Sequence, residues 1–414
     1  MNDGKDGFND NNHGPSLDDV EMVSFQQEQD ITLIVEICYQ DETIAKRQRE
    51  DALETPFQDQ FEFLNGVRVE LRDQDLIHRV RYIRPHSYAC EEGVYKRMKE
   101  IPSSHFRFFS LNINRFNPLV RDYEENYYVK IMPHKKYDGI WERLCYPPRI
   151  KRTAITFGVT YTNLPELKIN DVVRSRDKFL LIEGPAGSGK SCVATGLAQT
   201  LSIRINNLYP KVLMVEIKCD VLFGRTGCEG SSDLNAVFDT IFRLTNVETR
   251  FVFVYLDRLE TIQKIPTGQT EITEDSKKIK ETLYAKLDTA KQRKNILFIG
   301  TTDKSSSVES SLLARCDCKI TLTNPCAEQC YGIIRTVIEE FQCSKLLKDD
   351  VNFVHERYIN HVSCTDKHSK ALFEKCKGFV GMSGADVKNI PYNFIDEVYD
   401  ANDSTIPFIE SLHK

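Results

Sequence analysis

Apolar residues recur in two rhythms along the second half of this 414-residue chain. Short apolar runs of strand length alternate with longer segments whose apolar residues fall three or four apart. KFLLIE from Lys178, VLMVEIK from Val212, FVFVYLD from Phe251, ILFIGTT from Ile296 and CKITLT from Cys318 read as strands. Between them, Val193, Leu197, Leu201 and Ile205 mark one helical face, and Leu234, Val237, Phe238, Ile241 and Phe242 a second. Ile279, Leu283 and Leu287 mark a third. Apolar strands alternating with amphipathic helices predict an α/β fold with a parallel sheet covered on both faces. After Pro325 the pattern turns mostly helical (Ile333, Ile334, Val337, Ile338, Phe341), which predicts a helical lid. No internal repeat is found.

Upstream the rhythm is different. ITLIVEICY from Ile31, VRVEL from Val67 and YYVKIM from Tyr127 are β-like and separated by long charged stretches. Residues 31–130 are therefore expected to form a small α+β domain, with residues 131–325 the large α/β domain and 326–414 the lid. Residues 1–30 carry eight acids and one lysine and few apolar side chains, the composition of a flexible acidic tail.

Composition sharpens this in three ways. At 41% hydrophobic and 28% charged, the chain is globular. Its 55 basic and 61 acidic residues give a net charge of −6, which argues against a chain built mainly to bind nucleic acid while leaving room for a local basic groove. No apolar run approaches the roughly 18 residues needed to span a bilayer, and the polar start carries no secretory signal, so a soluble intracellular protein is expected. The 13 cysteines form no framework, which suggests free thiols in a reducing compartment. Cys316, Cys318, Cys326 and Cys330 lack paired C-x-x-C knuckles and read as thiols rather than metal ligands, and His355, His361, Cys364 and His368 are too loosely spaced to favour a metal.

The chemistry is concentrated after KFLLIE. Gly184, Pro185, Ala186, Gly187, Ser188, Gly189, Lys190 and Ser191 fit G-x-x-x-x-G-K-[ST] at every fixed position. Glycines let successive backbone N–H groups converge on phosphates, and the helix that follows presents its positive end. Lys190 is expected to reach the β- and γ-phosphates of ATP, and the Ser191 hydroxyl to bind Mg²⁺. The loop follows a strand and opens a helix, which is the context the motif requires. Asp257 ends FVFVYLD, where an aspartate beside a phosphate loop serves as the carboxylate behind Mg²⁺.

Phosphate loop, strand-end aspartate, the polar end of ILFIGTT (Thr301, Thr302, Asp303), Arg315 and a helical lid together resemble an AAA+ ATPase. The stretches DGIWERL, AQTLSIRI, VEIKCDVLF, LDRLETI, NILFIGTTD, LLARCD and GMSGADVKNIP further resemble the pachytene checkpoint protein 2 (thyroid receptor-interacting protein 13) family, from about His134 to Pro391. That resemblance implies a homo- or hetero-hexameric ring that binds ATP and Mg²⁺ and remodels HORMA-domain proteins delivered by an adaptor. The adaptor and substrate would dock on residues 31–130, independently of the tail. The setting implied is meiotic chromosome and spindle-checkpoint control, in the nucleus, on chromosomes and in the cytoplasm. Arg315 stands where the family has a basic residue near the subunit interface. It is a candidate finger toward a neighbour's nucleotide, or else a surface arginine.

Four positions depart from the family pattern. The Glu that follows the strand-end Asp and orients the attacking water is replaced by Arg258, which cannot accept a proton. Such a residue is worth roughly 10²–10⁴-fold in rate. Glu260, three residues past Asp257, is a substitute candidate through a local register shift. The sensor Asn at the fourth-strand tip aligns with Asp303, the sensor Arg of the lid with Ala385, and the Trp-Phe pore pair with Thr226 and Gly227. The pattern suggests that nucleotide binding is kept while turnover or threading is relaxed. Either a ring ATPase with impaired hydrolysis or a non-hydrolysing scaffold or regulatory subunit fits, with a clamp-loader-like DNA-handling protein more remote. Because the strands ending at Asp257 and Thr302 should be neighbours, Arg258 and Asp303 are expected either to pair across the phosphate loop or to turn separately to solvent.

Overall fold

A computed structural model describes residues 34–39, 80–86, 106–111, 127–163, 177–220, 229–263, 274–347, 351–356, 359–360, 366–393, 409 and 412. The expected acidic tail, VRVEL, Thr226, Gly227, His361 and Cys364 lie outside them. The chain divides into two compact units, residues 1–108 and 109–414.

A three-stranded sheet in the order β2-β1-β3 is built from β1 (Ile34–Tyr39), β2 (Val80–His86) and β3 (Phe106–Ser110), and the division between units falls within β3. β1 and β2 are antiparallel, with Ile34 opposite His86. Val35, Ile37 and Ile83 are fully buried there, and Glu36 and Arg84 form a buried ion pair at 3.7 Å.

The second unit carries a six-stranded sheet in the order β4-β6-β7-β8-β5-β9. Its strands are β4 (Tyr127–Met132), β5 (Phe179–Glu183), β6 (Lys211–Lys218), β7 (Arg250–Asp257), β8 (Ile296–Thr302) and β9 (Cys318–Thr321). The five strands from β5 to β9 are parallel, as their near-continuous apolar runs require. β4 runs antiparallel to β6, with Tyr127 opposite Ile217, so the sheet is mixed. Residues 127–130, which the sequence reading grouped with the small N-terminal domain, are thus part of an edge strand of the large sheet. A short β strand carries no mark of which sheet it joins, because its partner is chosen by tertiary contacts.

Helices cover both faces. α1 (Pro148–Asn163) and α2 (Lys190–Arg204) lie on one, and α3 (Glu229–Thr245) and α4 (Glu274–Ala290) on the other. α2 is buried from Val193 to Arg204, so its residues are apolar or small nearly all round rather than striped. Phe238 of α3 stacks on Phe298 of β8, which in turn meets Phe179 of β5, and these rings anchor the core beneath the strand tips. The short α5 (Ser310–Leu313) precedes β9. A separate apolar cluster joins α6 (Ala327–Cys343), α7 (Lys367–Lys377) and α8 (Gly384–Asn393) into the lid. β5 sits between β8 and β9, so the chain leaves it in one direction and later crosses to its other side. That reversal opens a crevice at the carboxyl ends of the strands, where α/β sheets bind ligands.

Candidate functional site: a phosphate loop and its strand tips

The loop between β5 and α2 has the conformation its glycines permit. Gly187 and Gly189 hold φ of 74° and 88°, in the left-handed region. Gly184 has no room for a side chain, since a Cβ there would lie 2.8 Å from both the Leu322 carbonyl oxygen and Ser188 Oγ. The loop is gripped from two sides. The Tyr146 hydroxyl donates to the Ser188 carbonyl, and the backbone N–H of Ala385, in the first turn of α8, donates to the Gly187 carbonyl at 3.0 Å. The phosphate cradle therefore touches the lid directly. Burial pushes the Tyr146 hydroxyl far up in pKa, so it stays a donor.

A cleft of about 950 Å³ opens over this loop. Ile140 and Leu144 line one side, Ile333 and Val337 of α6 another, and the polar end is formed by the loop, Asp257, Arg258, Glu260 and Asp303. Apolar walls and a cationic, amide-lined floor suit a nucleotide, with the phosphates held by the backbone N–H groups of residues 187–191 and by Lys190.

Ser191 and Asp257 are brought together by Tyr255, two residues before Asp257 on the same face of β7. The Tyr255 hydroxyl donates to Asp257 Oδ1 at 2.6 Å and lies 3.0 Å from Ser191 Oγ. Thr301 Oγ1, at the tip of β8, donates to the same carboxylate oxygen at 2.7 Å. Burial, reinforced by the Asp257 carboxylate, drives the Tyr255 pKa far up, so the phenol remains protonated. These contacts orient the pair that would hold Mg²⁺.

Beyond Asp257 the backbone turns sharply. Arg258 adopts a left-handed φ of 58°, rare for a residue with a long side chain. Its N–H donates to Thr301 Oγ1 at 3.2 Å, and its carbonyl accepts from the N–H and hydroxyl of Thr261. The turn throws the guanidinium outward, 64% exposed, toward Asp220 at 3.9 Å. It also swings Glu260 in, where Oε2 accepts the Asp303 N–H at 3.3 Å. Asp303 itself turns to the loop. Its Oδ1 accepts from Lys190 Nζ at 2.8 Å, and Lys190 also donates to the carbonyls of Gly184 (2.7 Å) and Pro185 (3.0 Å).

The profile for the ATPase family associated with various cellular activities (AAA) matches residues 180–324. A Caenorhabditis elegans pachytene checkpoint protein 2 is 28% identical over 267 residues, which is 63% of this chain and 62% of that protein. The Arabidopsis thaliana homologue is 25% identical over 278 residues, 63% of this chain and 60% of its own length. The chain thus spans less than two thirds of these relatives. The structure of C. elegans PCH-2 superposes with a TM-score of 0.72 at 21% identity, covering 91% of this chain and 96% of that one, which shows a shared fold. The chain carries an AAA domain and is similar in sequence and fold to pachytene checkpoint protein 2 proteins.

At the strand tips, Arg258 and Asp303 take separate partners. Of the two expected arrangements, the Arg258–Asp303 pair does not form, and only Arg258 turns outward, toward Asp220, while Asp303 faces Lys190. Neighbouring strands were correctly inferred, but the left-handed turn at Arg258 separates the two side chains, and nothing in residue spacing announces such a turn. Ala385 contributes only its backbone N–H to the loop, while Lys388, one turn further along α8, lines the cleft. Arg315 lies outside that cleft. It forms a two-point pair with Asp288 (2.9 and 3.3 Å), donates to the Ser311 carbonyl at 2.8 Å and covers the Tyr284 ring. The hydrogen bonds from Arg315 hold the Asp288 carboxyl below its usual range. Trp141 is buried, with its ring against Gly196 of α2, and serves packing. The cysteines go separate ways: Cys330 is buried in the lid, Cys326 caps α6, and Cys316 and Cys318 are half-buried.

Sequence reading missed Tyr255 and Tyr146. The first had a signal, a lone hydroxyl in an apolar strand spaced by two from Asp257. The second had none, since its partner is a backbone carbonyl 42 residues away.

Proposed function

We propose that this chain is a nucleotide-binding ring subunit of pachytene checkpoint protein 2 type in which phosphate binding is kept and hydrolysis is impaired. The observation that carries this is the contrast within one cleft: an intact loop of residues 184–191 beside strand tips where the water-orienting position is an outward-turned Arg258. When bound, Mg-ATP supplies a phosphoanhydride whose cleavage needs a carboxylate to orient water. Lys190 and the loop amides bind the phosphates, Ser191 and Asp257 hold the metal, and Tyr255 and Thr301 orient Asp257.

The partner reading rests on kinship. A structure with a TM-score of 0.52 to this chain, at 13% identity, is an Escherichia coli Trip13 in a complex with HORMA and CdnC proteins. By that relation the substrate here is a HORMA-domain protein, presented by an adaptor to residues 31–130 of a hexameric ring. Arg315 would reach a neighbour's nucleotide only after leaving Asp288. The nuclear and chromosomal setting is part of the same proposal. Among the described residues no helix is long and apolar enough to cross a membrane.

The test is ATP turnover measured beside nucleotide affinity on protein of known oligomeric state. Expected is saturable binding with turnover below about 0.1 s⁻¹, some hundredfold under a median enzyme. Brisk turnover overturns the reading. A slow ring ATPase is a second reading, favoured by the inward-turned Glu260. In that case Glu260→Gln removes the residual turnover while leaving ADP affinity in place.

A further inference from the structure

Lys190 has three N–H donors, and all three are engaged within the chain. Two go to the neutral carbonyls of Gly184 and Pro185, and the third to the carboxylate of Asp303 at 2.8 Å. The Lys190 side chain is 11% exposed, so this contact is largely shielded from solvent on the lysine side. From it we infer that Asp303 is a specificity-determining residue that makes the cleft select nucleoside diphosphates over triphosphates. The inference rests on the nucleotide-binding reading above and adds to it which nucleotide is held.

The argument is one of charge. A phosphate-loop lysine serves both the β- and the γ-phosphate. Here a resident carboxylate takes one of its bonds from the direction of the strand tips. A diphosphate can use the loop amides and displace the two neutral carbonyls, leaving the Lys190–Asp303 pair in place. A γ-phosphate competes with Asp303 for the same ammonium and adds negative charge beside it. Displacing Asp303 then leaves a carboxylate next to the phosphate without its cation. The surroundings sharpen the effect. Glu260 is fixed beside Asp303 through the Asp303 N–H, and Asp257 faces the same end of the cleft. Of the other cations lining the cleft, Arg258 leans to Asp220, Arg143 pairs with Glu340, Lys388 stands one turn beyond Ala385 on the lid, and Lys136 belongs to the segment before α1. An asparagine at position 303 would keep a polar contact to Lys190 without the charge.

The experiment is calorimetric titration of the full chain with ADP and with the non-hydrolysable ATP analogue AMP-PNP, at fixed excess Mg²⁺, for the parent and Asp303→Asn. Asp303 is half-exposed on a loop, so the substitution spares the fold. Expected is at least a tenfold preference for ADP in the parent, reduced about tenfold or more in Asp303→Asn, chiefly by tighter analogue binding. Asp303→Glu, which keeps the charge, should retain the preference. Equal affinities in the parent, or an unchanged ratio in Asp303→Asn, overturn the inference while leaving nucleotide binding intact. Failure of both nucleotides to bind the parent removes the nucleotide reading as well.

Discussion

Tyr255 shows how much a single hydroxyl organises at the tip of β7. It joins the acid that would stand behind Mg²⁺ to the serine that would touch the metal, from a side chain that is 1% exposed. Tyr255→Phe keeps the ring and its packing but leaves Asp257 with Thr301 as its remaining hydroxyl donor on β7 and β8. A hydrogen bond to a charged group is worth about 1.5–3 kcal/mol. The variant should fold, melt at a lower temperature, and lose most of the Mg²⁺-dependent part of its ADP affinity. Titrations with and without Mg²⁺ check this, and an unchanged metal dependence would remove Tyr255 from the site. Arg258 makes the complementary point. Its left-handed backbone decides where Glu260 and Asp303 point.

At the scale of elements, the strand tips are positioned by close packing under them. Gly300 in β8 has Leu259 on one side and Phe179 on the other. A Cβ there would lie 2.5 Å from Leu259 Cδ1 and 2.7 Å from Phe179 Cε2. Overpacking of this kind costs about 1–3 kcal/mol. Gly300→Ala should therefore lower the urea midpoint, and because Thr301 and Asp303 follow directly, nucleotide affinity should fall with it. A variant with the parent's midpoint would show that the Leu259 and Phe179 side chains yield without strain. The same logic governs α2, where Gly158 of α1 lies so close to Leu201 that a Cβ would sit 2.2 Å from its methyl.

Across the large unit, the phosphate loop is shared between sheet and lid. The Ala385 N–H to Gly187 carbonyl bond and the Gly187 approach to Ser383 tie α8 to the loop that a nucleotide must enter. Ligand held between two elements stabilises both by mass action, about 2.7 kcal/mol at a hundredfold excess over Kd. ADP should accordingly raise the melting temperature of the parent by several degrees. Lys190→Ala should abolish that shift while leaving the unliganded melt close to the parent's, because the side chain, at the first residue of α2, faces the cleft rather than an apolar core. A ligand shift that survives in Lys190→Ala would mean that the nucleotide sits elsewhere.

Periodicity and spacing along the chain were enough to assign the parallel core strands, three of the four helices that cover them (α1 was not read), the phosphate loop and the strand-end Asp257. These are local properties, because a strand buried on both faces must be apolar throughout and a phosphate loop needs its glycines and lysine in a fixed order. The tertiary structure alone decided which charges meet. Asp303 could have paired with Arg258 or Lys190, and the choice fell to Lys190 because a positive φ at Arg258 turned one candidate out of the cleft. It decided too that Tyr127–Met132 joins the large sheet, and that Tyr146 reaches the loop from 42 residues away. Contacts of that kind depend on where the backbone carries two distant residues, which no local pattern encodes.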